Sequence, residues 1–179
     1  MSAQIEISPL SSLEYLPYLD EAGCIAEDTQ GKIGVYAIFD QEQEMQYVGY
    51  SRDVYLSLKQ HLIRKPQNCY WIKIQTITRP SRQILEDIAA AWIAENGSTP
   101  PGNDSESSIW TEAIDANPAM TEEEKAQYNN SDELGQIKIR KKVARRVEAD
   151  IQQQLSDRGV TMNIRFNPKL KEKGLLNLK

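Results

Sequence analysis

Two short apolar, β-prone runs constrain this chain more than anything else in it. Gly34-Val35-Tyr36 opens the first run, Tyr47-Val48-Gly49 closes the second, and the polar segment Asp40-Gln41-Glu42-Gln43-Glu44 joins them. Apolar runs bounded by a short polar connection read as a β-hairpin. Each arm then carries one tyrosine and one glycine. Tyr36 and Tyr47 on one face read either as site residues or as core rings with hydroxyls at the rim.

The elements around the hairpin follow from period and punctuation. Residues 33 to 39 and 45 to 50 are the two strands. Ser51 or Asp53 caps a following helix, because a short side-chain oxygen satisfies the orphan N–H groups of the first turn. Val54, Leu58 and Leu62 give that helix an i, i+4 apolar stripe, and Pro66 ends it. Tyr70, Ile72, Ile74 and Thr76 alternate with Trp71, Lys73 and Gln75, which is a strand period. Pro80-Ser81 opens a second helix with Leu85, Ile88, Ala89, Trp92 and Ile93 on its buried face; Gly97 and Pro100-Pro101-Gly102 stop it. Residues 105 to 134 hold eight acids and one base and few aliphatics, and are expected to be a linker with a short helix from Thr121 to Gln127, Thr121 and Glu124 forming a capping box. Ile139, Val143, Val147, Ile151 and Leu155 predict a long helix over about 135 to 157, ended by Gly159. Val160 to Phe166 reads as a short strand. The division expected is an N-terminal arm (1 to 30), a central domain (31 to 104), the acidic linker (105 to 134) and a helical C-terminal extension (135 to 179).

Several function classes are excluded by absence. No run approaches the roughly 18 apolar residues that span a bilayer. The first residues lack the basic head and apolar core of a secretory signal. Cys24 and Cys69 have no metal-type spacing, and with His61 as the one histidine a zinc site is not expected. A cytoplasmic location is the expectation these absences leave. A net charge of -5 argues against a general nucleic-acid coat, yet Lys141, Lys142, Arg145 and Arg146 cluster on the long helix as a nucleic-acid or partner surface, or as a solvated helix face.

The order strand, strand, helix, strand, helix across residues 33 to 103, with its two triplets, resembles the GIY-YIG nuclease family. His61 on the first helix, Glu86 near the start of the second and Asn103 after Pro100-Pro101 stand where that family has functional positions. The resemblance implies an α/β (α+β) fold, a three-stranded antiparallel sheet flanked by helices. It implies phosphodiester hydrolysis with one divalent metal, Mg held by Glu86, with Tyr36, Tyr47 and His61 as catalytic residues and Gly34, Gly49 and Asn103 as motif residues. The family's phosphate-clamping arginine falls at Ser57, which has no positive charge. Arg52 and Arg64 are the candidate substitutes. Three functions are therefore expected: a diverged nuclease-type protein that binds nucleic acid or a partner with weak or no cleavage, an active Mg-dependent endonuclease with a substitute arginine, or a non-catalytic assembly factor. The residues also carry plainer readings. The two glycines allow close packing, His61 is a half-buried core histidine, and Glu86 is a salt-bridge partner of Arg82.

Overall fold

The computed structural model describes residues 6–179. The expectation about a leader falls almost wholly on residues outside that range. The chain divides into two compact units, Met1–Thr111 and Glu112–Lys179, so the boundary lies inside the acidic segment.

The first unit is built on a sheet with spatial order β1-β4-β2-β3, antiparallel at every pairing: β1 (Leu16–Pro17), β2 (Ile33–Phe39), β3 (Met45–Ser51) and β4 (Trp71–Ile77). The expected three strands are thus four. The fourth, β1, is two residues long and ends in proline, so it carries no alternation that a sequence reading can detect. The β2–β3 hairpin turns at Asp40, whose Oδ1 accepts from Glu42 N and Glu44 N at 3.0 and 2.9 Å.

Helices cover both faces of the sheet. On β2 and β4, Val35, Ala37, Phe39 and Ile77 point one way and pack with Leu85, Ile88 and Trp92 of α2 (Arg82–Asn96). The alternate residues, Tyr36, Ile38 and Ile72 among them, point the other way, toward α1 (Val54–Arg64) and its fully buried Val54, Leu58 and Leu62. Burying each such aliphatic side chain is worth about 1.5–3 kcal/mol, which is why the i, i+4 stripe decides where α1 lies. Both helices begin as expected. Asp53 accepts from Leu56 N, Ser81 accepts from Ile84 N, and Gly97 ends α2 at φ 85°. A 3-10 turn at Pro101–Asn103 leads to a short helix, α3 (Ser107–Thr111), which closes this unit.

The second unit is helical, with a small antiparallel pair of β5 (Ile114–Asp115) and β6 (Leu175–Leu176). Its helices are α4 (Glu122–Asn129), α5 (Glu133–Asp157) and α6 (Pro168–Lys171). Thr121 and Glu124 form the capping box on α4. The strand expected over Val160 to Phe166 is absent; there is only a bridge between Phe166 and Leu178.

Candidate functional site

Three of the residues singled out in the sequence meet on the α1 face. Tyr36 lies opposite Gly49 and Tyr47 opposite Ile38, so both phenol rings leave the hairpin on the same side. His61, two turns into α1, bonds the Tyr36 hydroxyl through Nε2 at 2.7 Å. Its ring centroid lies 4.6 Å from that of Tyr47. Gly49 makes the arrangement possible: a Cβ there would stand 2.5 Å from Tyr47 Cε1 and 2.7 Å from the Tyr36 hydroxyl. Ser57, at the position of the missing arginine, donates to Ser51 Oγ at 2.7 Å and extends the hydroxyl network along α1.

Trp110 completes the cluster and was not found from the sequence. It is fully buried and stacks on Tyr47 with centroids 5.5 Å apart and an interplanar angle of 3°. Arg64 Nη1 donates to the Trp110 carbonyl at 2.9 Å, and Lys65 pairs with Glu106 at 2.9 Å, which ties α1 to the segment that carries the indole. The available signal was composition. A tryptophan in an acidic, aliphatic-poor stretch has to bury its ring somewhere.

The cluster is electrically quiet near neutral pH. Burial, reinforced by the Arg64 charge, holds the His61 imidazole down at about 3. Burial pushes the Tyr36 phenol well above its usual range, with Tyr47 adding to the effect, and burial also raises Tyr47. At pH 7 the imidazole and both phenols are therefore neutral. The Trp110 backbone approaches the imidazole, but no bond to His61 Nδ1 meets hydrogen-bond geometry; this atom and Trp110 Nε1 are both buried without a partner. Neutral imidazole and phenol can orient and polarise a bound group. An acid catalyst would need a proton that His61 does not hold there.

Glu86 makes its hydrogen bonds to residues outside this trio. It accepts from Arg82 Nε at 2.7 Å and from the Tyr50 hydroxyl at 3.2 Å, and Tyr50 points to the α2 face by the alternation of β3. The salt-bridge reading of Glu86 is the one observed, and the Arg82 hydrogen bond lowers its pKa. Among the described residues no three of His, Cys, Asp and Glu come together as a metal set. Gly34 fits against β4, where a Cβ would meet the Gln75 carbonyl at 2.6 Å. Asn103 braces the sheet. Its Oδ1 accepts from Val48 N and its Nδ2 donates to Val48 O, both at 2.8 Å, on the outer edge of β3. Arg52 is exposed beside Arg82 and Ser81, and Arg64 is turned into the protein on Trp110. Of the basic face, Arg146 bonds Glu124 at 2.7 Å and the Ala119 carbonyl at 2.9 Å, and Lys141 lies 3.7 Å from Glu172. Two of its four charges are therefore engaged within the second unit.

A mixed α/β unit with a buried, neutral phenol–imidazole–indole cluster is the class that fold and site define. No family model matches the chain. Among curated proteins it is similar to the bifunctional monothiol glutaredoxin-S16, chloroplastic, of Arabidopsis thaliana, at 32% identity over 103 residues. The similarity covers 55% of this chain and 33% of the relative, so the chain spans about a third of the length of the curated relative it matches. That match overturns the resemblance to the GIY-YIG nuclease family. The nuclease, endonuclease and nucleic-acid-binding readings fall with it, and so does the assembly-factor alternative; the relative is named for thiol chemistry. No helix among the described residues is long and apolar enough to cross a membrane. The relative is chloroplastic by name, and the cytoplasmic expectation gains nothing from it.

Proposed function

We propose that this chain serves thiol redox chemistry as a companion module, without a catalytic thiol of its own. The redox half of this reading comes from the similarity to a protein named as a monothiol glutaredoxin. The companion half is carried by one observation, the placement of the two cysteines. Cys69 is fully buried, with Sγ 3.7 Å from the His61 carbonyl. Cys24 closes a turn in which Asp20 accepts from Ala22 N and Cys24 N. An exchanging thiol has to be exposed as a thiolate, which a helix N-terminus or a nearby cation favours. Neither cysteine opens a helix. The word "bifunctional" in the relative's name is consistent with a shared third that does something other than exchange thiols.

What the chain contributes under this reading is the Tyr36–Tyr47–His61 cluster with Arg64 against it. Tyr47 is its half-buried member and the one a ligand can reach. The test is a glutathione-dependent disulfide reduction assay on the purified chain, alone and mixed with a monothiol glutaredoxin. Alone, the chain is expected to stay at background, and Cys24→Ser to change nothing. In the mixture the rate is expected to shift, and Tyr47→Phe to remove the shift. Turnover by the chain alone that vanishes in Cys24→Ser would overturn the companion role. A mixture that behaves as the glutaredoxin by itself would remove the redox role.

A further inference from the structure

The segment from Glu6 to Ser11 is held as a bound peptide is held. Six of its backbone groups are taken by side chains of β4 and α2. Gln75 accepts from Ser8 N at Oε1 and donates Nε2 to the Glu6 carbonyl, both at 2.9 Å. Trp92 Nε1 donates to the Ser8 carbonyl, just ahead of Pro9, at 2.9 Å. The two oxygens of Glu95 accept from Leu10 N and Ser11 N at 3.0 and 2.9 Å. Lys73 Nζ donates to the Leu10 carbonyl at 2.8 Å. Pro9 sits at φ -59°, ψ 143°, a polyproline II conformation. Leu10 is inserted among Leu85, Ile88 and Trp92, and Leu13 packs on the same cluster.

Backbone recognition by fixed side chains, an indole N–H on the carbonyl before a proline, and one anchored leucine are the parts of a groove that binds proline-containing segments. Such segments are already extended, so ordering them costs little. A strand or helix of the native core would satisfy its backbone within the sheet or within itself. This segment does neither over Glu6–Ser8, and beyond it only a single 3-10 turn, which takes the Pro9 and Leu10 carbonyls, is made within the arm.

We propose that Lys73, Gln75, Trp92 and Glu95 form a peptide-recognition groove that the chain's own arm occupies, and that a Ser-Pro-Leu-type segment of another protein binds it in trans when the arm leaves. The arm is then a competing intramolecular ligand, and the affinity for a partner is reduced by the fraction of time the groove is filled. The inference does not depend on the redox reading.

The probe is a fluorescein-labelled peptide of the Glu6–Leu13 sequence, titrated with the full-length protein and read by anisotropy. The native protein is expected to bind it weakly. Leu10→Ser, which removes the arm's anchor and leaves the groove whole, is expected to bind at least about tenfold more tightly, a change of roughly 1.4 kcal/mol. Adding Glu95→Gln to that variant is expected to abolish the gain, and a probe with serine at the Leu10 position should not bind. Circular dichroism and gel filtration check that each variant is folded and monomeric. If Leu10→Ser does not fold, Pro9→Gly, which loosens the arm by widening its unbound ensemble, takes its place with the same expectation. Folded variants that bind the probe no better than the native chain would overturn the proposal. So would tighter binding that appears only with dimers, because the groove would then belong to a second copy of the arm.

Discussion

At Gly49 a single methyl group decides whether the tyrosine–histidine cluster can form. The Cβ of an alanine would press on two rings already enclosed by α1 and Trp110. Gly49→Ala is expected to destabilise the protein by about 1–3 kcal/mol, seen as a lower urea midpoint with unchanged slope. His61 sets a pH dependence with a definite sign. Folded, its imidazole titrates at about 3; unfolded, near 6.5. Between these values the unfolded chain binds a proton that the folded chain refuses. Its contribution is therefore complete above pH 6.5 and declines as the pH falls toward 3, by up to about 1.4 kcal/mol per pH unit. His61→Gln is expected to flatten that part of the acid limb. Denaturant midpoints for both proteins across the acid range measure the difference, and parallel curves would exclude His61 as the cause.

Capping and periodicity governed the elements, and most were legible for that reason. Thr121→Ala is expected to cost about 1 kcal/mol, localised to α4, where hydrogen exchange should speed up. Glu124 reaches further than its cap. The Arg146 hydrogen bond, helped by the Thr121 amide, holds its carboxyl at about 2, so its stabilising contribution is present above the ordinary carboxylate range and is lost as the pH falls toward 2. Arg146→Ala should bring that loss to higher pH, followed by the Glu124 carboxyl signal in NMR titration. The capping box could be read from four consecutive residues, while the Arg146 partner, 22 positions on, could not. The same division runs through the fold. The hairpin, α1, α2 and α5 announced themselves by local period. Strand β1 has too few residues to show one, and α3 was hidden by its acidic surroundings. At the site, Tyr36, Tyr47 and His61 were found because hairpin register and helix phase are local rules. Trp110 reaches Tyr47 from a remote part of the chain, and no local rule extends that far. Glu86 bonds Arg82 and Tyr50, and helix phase alone does not say which face of a sheet the helix covers.

On the scale of the whole molecule, charge is the property that reads out. A net charge of -5, with Arg146 and Lys141 already committed, leaves little basic surface for a phosphate backbone. The native chain is expected to pass through immobilised duplex DNA at physiological ionic strength without retention; salt-dependent binding would contradict this. Its solubility should be lowest near pH 5.1, where the net charge vanishes. The sheet has one more property that bears on the molecule as a whole. Strand β3 is a boundary strand, and the Asn103 carboxamide occupies both polar groups of Val48 on its outer side. A side chain in that position works as a stopper against self-assembly, since a neighbouring copy finds the middle of the seam already taken. Asn103→Ala would reopen it, and the variant should polymerise into thioflavin-positive fibres at concentrations where the parent chain stays clear.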